Sequence, residues 1–279
     1  MLEIPESATM AEQLTRHVGG GRIARVIAGL SPHGFAFYFG DPQAYDTALT
    51  GRRIDQARAI GGQVELMIDD MRLVFSDGVN IRATRQGRLS DGHPLPKKHQ
   101  LRLECEDGRG IVCTVQMYGC LAAFPDGMND NPYYLVATNA RSPLSDSFDR
   151  GHFDALVAQA KPTLSVKGLL ATEQRIPGLG NGCLQDIAFN ARVNPLAKLH
   201  DLTSDDLDRL FASVKTTLAA MTAAGGRDTE KDLYGAPGGY ATQLSAKTVG
   251  RGCPICGGSI TRKAYLGGNV YFCETCQPR

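Results

Sequence analysis

The sequence predicts an α+β protein built in three zones. Three observations carry this. Short β-rich runs fill the first half, the hydrophobic period then switches to a helical one, and two Cys-x-x-Cys pairs close the chain. At 279 residues the chain has room for about two domains. Hydrophobic residues make up 42% and charged residues 21%, a balance that builds an ordinary core. The net charge of +1 excludes a polycation that binds through bulk charge. No apolar run approaches the ~20 residues of a membrane-spanning helix. The opening lacks a basic stretch followed by an apolar one, so no secretory leader is expected, and a cytoplasmic location is.

In chain order, the opening MLEIPES sets Glu3 and Glu6 around Pro5, and a helix is expected from about Ala8 to Val18. RIARVIAG, FAFYFG, QVELMID, RLVFSDGVNIRA, HQLRLECEDGRGIVCTV and YYLVAT read as strands between Gly, Pro and Asp punctuation, which makes residues 1–137 a mainly β domain. The Asp-Gly pair in ECEDGRG is a hairpin turn. Residues 138–150, TNARSPLSDSFDR, are polar and turn-rich and read as a linker. The period then changes, and HFDALVAQA, GNGCLQDIAFNARV and TSDDLDRLFASVKTTLAAMTAA are expected helices of a 151–245 domain. Thr203, with Asp206 three residues on, resembles a capping box for the last of them. Residues 226–245 are Gly-rich and read as a loop, and 246–279 form a small terminal module.

In that module CPIC, Cys253 to Cys256, is followed after sixteen residues by CETC, Cys273 to Cys276. A pair spaced by two residues turns both sulfurs toward one ion, and two such pairs complete a tetrahedral four-thiolate zinc site. One structural Zn2+ per chain is expected, in place of a core too small to hold the module folded. With all four positions filled no place is left for water, so the ion is not expected to be catalytic. The intervening GGSITRKAYLGGNVYF reads as a β-hairpin turning near Gly267-Gly268. Two disulfides or a redox pair are the alternatives, and a reducing compartment weighs against both. Cys105, Cys113, Cys120 and Cys183 are scattered and expected to stay reduced, the first two as small buried thiols in strand-like runs.

Charge and glycine patterning point toward phosphate. Lys247, Arg251, Arg262, Lys263 and Arg279 stand against Glu274 in the terminal module, an excess that suits a nucleic-acid backbone, although a solvated surface has the same composition. In IPGLGNGCLQDIAFNARVNP a Gly-Leu-Gly-Asn turn opens a helix. Gly178 and Gly180 let the backbone approach a phosphate, the free amides at a helix start favour an anion, and Asn181 adds a side-chain donor. The same turn also serves as a tight helix entry.

Together these stretches resemble the formamidopyrimidine-DNA glycosylase and endonuclease VIII family. IPGLGNGCLQDIAFNARVNP is similar to its helix–two-turns–helix element and CPICGGSITRKAYLGGNVYFCETCQ to its C-terminal zinc finger. DLYGAPGGY resembles the loop before the finger, LTGRRIDQARAIGGQVELMI the β-sandwich pattern, and LEIPE the opening PELPE. The resemblance implies an α+β fold with an N-terminal β-sandwich lobe, a helix–two-turns–helix lobe and a zinc finger. It also implies a monomer that holds damaged or abasic double-stranded DNA between the lobes and rotates a lesion base out to cut its glycosidic bond. By position, Glu3 falls on the catalytic glutamate, Glu6 on the second glutamate of the opening, and Lys167 and Asn181 on phosphate-binding residues. For Glu6, capping or orienting the following helix is an equal reading.

The chain departs from the family pattern at three places. Leu2 stands where the family has the proline whose amine attacks the sugar C1′, and Met1 is expected to remain ahead of it. Gly62 stands in place of a lysine, and Asn269 in place of an arginine that grips phosphate. Covalent lyase action needs an amine at C1′, so the expected activity is glycosylase action through Glu3 with lyase action weak or absent. A non-catalytic binder of damaged or abasic DNA is the alternative, and a lyase using Met1 or a lysine a third. Val79 and Asn80, or Met117 and Tyr118, are the candidates for filling the gap left by a flipped base, and each is more often a core or turn residue.

Overall fold

A computed structural model describes residues 1–278. The chain opens into α1 (Ile4–Val18), four residues earlier than the Ala8 start expected. Pro5 causes the difference, since a proline in the first helical turn lacks only an N–H that the helix cannot use there. The β lobe follows with β1 (Ile23–Ala28), β2 (Ala36–Phe37), α2 (Tyr45–Leu49), β3 (Ile54–Ile60), β4 (Gln63–Ile68), β5 (Met71–Arg85), β6 (Arg88–Leu89), β7 (Leu101–Cys105) and β8 (Arg109–Pro125). The main strand order is β1-β7-β8-β5-β4-β3. The strands β5 and β8, 15 and 17 residues long, pair along nearly their whole length, broken by a bulge between Asp77 and Val79. The sheet closes over one apolar core with α1, from Leu14 and Val18 to Leu73, Leu103 and Ile111.

FAFYFG contributes only the two residues of β2. YYLVAT, expected as a strand, is helical: α3 runs from Pro132 to Asn139. Asn131 accepts from the Tyr133 amide as N-cap and Pro132 starts the helix, an Asn-Pro entry signal that outweighs the β propensity of the short run. The expected linker is therefore helical at its start.

The helical lobe contains α4 (Arg150–Gln159), α5 (Val166–Ala171), α6 (Asn181–Asn190) and α7 (Ser204–Ala223). Asp149 caps α4, and Thr203 with Asp206 forms the expected capping box on α7. These helices share a second core that includes Phe153, Leu184, Ile187, Val214 and Leu218. Residues 226–245 form a looped segment with isolated bridges such as Arg227 to Tyr240. The finger hairpin is β9 (Ile260–Tyr265) and β10 (Gly268–Cys273), turning through Leu266 and Gly267 at positive φ. Among the described residues no helix is long and apolar enough to cross a membrane.

The chain opening joins the two cores. Leu2 is buried in the β core and Ile4 in the helical one. The Leu2 amide donates to the Asp77 carbonyl at 2.9 Å, and the Ile4 amide to the Gly178 carbonyl at 2.9 Å.

Candidate active site and nucleic-acid interface

Glu3 lies between the lobes, with its carboxylate at the N-terminus of α6. It accepts from the amides of Gly180 at 3.1 Å, Gly182 at 2.9 Å and Cys183 at 2.9 Å. The Arg227 guanidinium adds a fourth contact at 3.3 Å. Burial would raise the Glu3 pKa, but the Arg227 charge and the Cys183 and Gly182 amides outweigh it and hold the group below its ordinary 4.5. It is a fixed, ionised carboxylate.

At Gly180 the helix start meets an anion of the chain itself. The anion that the turn receives is Glu3, from within the chain. A Cβ on Gly180 would meet the Glu3 carboxyl carbon at 2.7 Å. Gly178, at φ +82°, is pressed onto the backbone of Gly61 and Gly62 in the β3–β4 turn. Both glycines serve close backbone approach between the lobes, and the Gly180 amide is taken by Glu3. The same contact accounts for Gly62: a Cβ there would meet the Gly178 Cα at 2.9 Å and the Leu2 carbonyl at 3.0 Å, so no lysine fits.

Glu6 is fully engaged with Arg227. One carboxylate oxygen accepts from the Arg227 amide and Nε, both at 3.0 Å, and the other from Nη2 at 2.8 Å. Arg227 is itself buried. Sequence reasoning missed it because its partners lie 221 and 224 positions away. Its one local signal is an arginine inside a Gly-rich loop. The geometry makes Glu6 an anchor for Arg227, and Arg227 a brace for Glu3.

Lys167 is also corrected. It is 1% exposed, and its ammonium donates to the Tyr265 carbonyl of the finger hairpin at 2.5 Å. Burial lowers its pKa. It holds the hairpin against α5 and is not a surface cation. Asn181, by contrast, is exposed at the first position of α6 and lies against Gly268. It shares an open cavity of about 320 Å³ with Asn269, Glu3, Gln185 and Arg227. Asn269 Oδ1 accepts from Arg262 Nε at 3.2 Å, which sets an arginine of β9 beside it. Gln185 fixes the hairpin from α6, donating to the Asn269 carbonyl and accepting from the Tyr271 amide, both at 2.9 Å. Asp186 accepts from the Gln243 and Leu244 amides, each at 2.9 Å, and ties down the loop before the finger. Arg279 lies outside the described residues.

A second cavity, about 390 Å³, adjoins the first at Met1, Thr229 and Glu230. Leu2, Glu6, Asn80, Arg82, Gln116 and Lys231 line it. Of the gap-filling candidates, Val79, 3% exposed in the β core, and Asn80 both line this cavity. Met117 is 73% exposed and Tyr118 41%, on the rim of the β lobe. Met117 at φ 62° and Asp77 at φ 58° are left-handed non-glycine residues on the paired strands β8 and β5, a kind of strain that concentrates at functional sites.

The sulfurs of Cys253, Cys256, Cys273 and Cys276 lie within 4.8 Å of one another. Cys253 and Cys276 are 3.8 Å apart, and Cys256 and Cys273 3.5 Å. A tetrahedral thiolate site with ~2.3 Å bonds sets its sulfurs ~3.8 Å apart, so the four fit one metal ion. The separations are too long for disulfides. The remaining four cysteines are unpaired, Cys105, Cys113 and Cys183 buried and Cys120 half-buried.

No protein-family model matches the chain. It is 30% identical over 289 residues to a formamidopyrimidine-DNA glycosylase of a Nocardioides species, an alignment covering 100% of this chain and 95% of that relative. Among solved structures, the MutM (Fpg) protein of Thermus thermophilus matches with a TM-score of 0.81 at 24% identity, over 99% of this chain and 98% of that one. The Lactococcus lactis Fpg in complex with DNA containing an abasic site matches with a TM-score of 0.83 at 22% identity, over 99% and 100%. The two structural likenesses establish a shared fold.

Proposed function

The chain belongs to the formamidopyrimidine-DNA glycosylase family, and from that premise we propose that it excises a damaged base from duplex DNA by hydrolysis, without a covalent intermediate. The observation that carries this reading is the pairing of Leu2 with Glu3. The Leu2 nitrogen is a peptide nitrogen hydrogen-bonded to Asp77, with no lone pair free to attack a sugar. Glu3 remains as an ionised carboxylate beside the cavity that holds Asn181 and Asn269. As the glycosidic bond breaks, its electron pair leaves with the base and positive charge grows on C1′ and the ring oxygen. A fixed carboxylate stabilises that charge while water adds to C1′ and releases a proton. Because Glu3 is held below its ordinary pKa, its role is electrostatic and it does not serve as a proton donor.

In this reading Asn181, Asn269 and Arg262 hold the phosphate flanking the extruded nucleotide. The damaged base enters the cavity lined by Asn80, Arg82 and Lys231, and Met117 with Tyr118 occupies the gap it leaves. Glu6 and Arg227 keep Glu3 in place. The four finger cysteines hold one structural Zn2+ per chain. Boundaries near residues 137, 150 and 245 separate the β domain, linker, helical domain and finger.

The extensive hydrogen bonding of Glu3 also favours a second reading, in which the carboxylate is a structural cap and the protein binds abasic or damaged DNA without cutting it. A panel of lesion-bearing duplexes separates the two. The enzyme reading predicts base release from at least one lesion and a loss of about 10²–10³-fold in rate for Glu3→Gln. No release from any lesion, with tight abasic-site binding that survives Glu3→Gln, supports the binder.

A further inference from the structure

Breaking a glycosidic bond leaves its electron pair on the base. An uncharged base then departs as an anion unless an acid protonates it, and such an acid contributes roughly 10²–10⁴-fold in rate. The cavity assigned to the damaged base, about 390 Å³, is poor in acids. No histidine, cysteine or tyrosine lines it among the described residues. Its three carboxylates are all occupied as acceptors. Glu6 accepts from the Arg227 amide and guanidinium. Glu230 accepts from the Met1 ammonium at 2.5 Å. One Asp232 oxygen accepts from the Tyr234 and Ala236 amides at 3.0 and 2.8 Å, and the other from the Gln13 side chain at 2.9 Å. Glu3, in the adjoining cavity, is ionised and accepts from three amides and Arg227. An ionised carboxylate has no proton to give.

The cations of the lining do not replace that acid. Arg82 donates to Asp91 at 2.8 Å and to the Tyr234 carbonyl at 3.1 Å, and a guanidinium does not deprotonate in a protein. The Met1 ammonium is held by Glu230, and Lys231 is an exposed side chain. Three carboxylates stand against Met1, Arg82 and Lys231, so the lining carries no net charge that would repel a cation. Much of the remaining wall is apolar: Leu2, Met10, Val79, Ile81, Leu89 and Pro96 contribute to it. Asn80, Thr114 and Gln116 add donors and acceptors for the edge of a base. The volume lies in the range of ligand pockets, roughly 300–1,000 Å³.

A base that is already a cation needs no acid and answers this set. We propose that the lesions released here are purines alkylated at a ring nitrogen, which carry a positive charge, with the alkyl group against Met10, Ile81 and Leu89. The inference rests on the hydrolytic reading above. The step balances without a proton donor. The bond from C1′ to the purine N9 breaks, its electron pair moves onto N9 and cancels the ring charge, and the base leaves neutral. Water adds through its oxygen to C1′ and releases one proton to solvent, while the Glu3 carboxylate stabilises the charge that forms on the sugar.

The test uses the full chain and duplexes carrying N7-methylguanine, N7-benzylguanine, 8-oxoguanine or hypoxanthine at one position, with protein-free controls and the released base identified by mass spectrometry. Between pH 6 and 8 both alkylated bases should leave intact, faster than without protein and at a rate that does not change with pH. The two uncharged bases should leave at least about 10²-fold more slowly, and faster as pH falls, because solvent must supply the proton. Leu89→Trp, which fills the apolar wall, should slow the benzyl base more than the methyl base, with a melting curve to establish that the variant is folded. Release of an uncharged base as fast as an alkylated one overturns the proposal and leaves the hydrolytic reading standing. Release of the alkylated bases only after their imidazole ring has opened does the same. Equal slowing of both alkylated bases in folded Leu89→Trp overturns the placement of the alkyl group. No release from any duplex overturns the hydrolytic reading itself and this inference with it.

Discussion

Glu3 sits where an α6 helix start would otherwise take an anion from outside, and that placement sets its chemistry. Its native pKa lies below the unfolded value of 4.5. The unfolded chain therefore binds more protons through that window, so the stability Glu3 supplies is complete above pH 4.5 and is lost as pH falls through the lower native value. Glu3→Gln should flatten the acid limb of the stability-pH curve, as measured by urea unfolding between about pH 3 and 7. Arg227 carries more of the architecture. Arg227→Met leaves Glu3 and Glu6 buried without their cation and should destabilise by about 3–5 kcal/mol, as measured by denaturant unfolding. Glu3 and Asn181 were singled out by the resemblance of their motifs to the family, and their roles belong to the proposed function. Arg227 was not, because nothing local says that an arginine will meet two carboxylates 221 and 224 positions away.

Among the elements, α6 organises the interface. Its start receives Glu3, its next turn holds the finger hairpin through Gln185, and Asp186 ties the preceding loop. Both residues are buried polar groups in a helix the sequence marks only by its period and its Gly-Leu-Gly-Asn entry, so their roles became visible once their backbone partners were placed. The finger was legible from cysteine spacing, whereas Lys167 looked like a cation for DNA and is a buried strut for the hairpin. Removing the metal with a chelator, or Cys276→Ser, should release the hairpin and abolish specific DNA binding while the β lobe keeps its far-ultraviolet signature; metal analysis should find one Zn2+ per chain. Arg262→Ala should reduce the slope of log affinity against log salt by about 1 if Arg262 contacts phosphate, as the neighbouring Asn269 indicates.

At the scale of the whole molecule, two cores meet through the first four residues of the chain. Leu2 anchors one, Ile4 the other, and Glu3 between them reaches α6. Leu2→Ala should cost about 2–3 kcal/mol, as buried leucine truncations do, and should loosen Glu3 with it. The zone order and fold class were legible because period and cysteine spacing are local signals; the seam between lobes was not, because it is made of backbone contacts between glycines far apart in sequence. The central claim is that this architecture cuts the glycosidic bond without a covalent step through the chain. One measurement addresses it directly: a lesion-bearing duplex is incubated with the protein under single-turnover conditions and the strand is sized before and after hot alkali. The account predicts intact strands that break only after alkali, at the lesion, because base loss leaves an abasic site. Strand breaks without alkali, or a protein–DNA adduct trapped by borohydride, would contradict it and point to an amine, that of Met1 or of Lys231, both of which line the adjoining cavity.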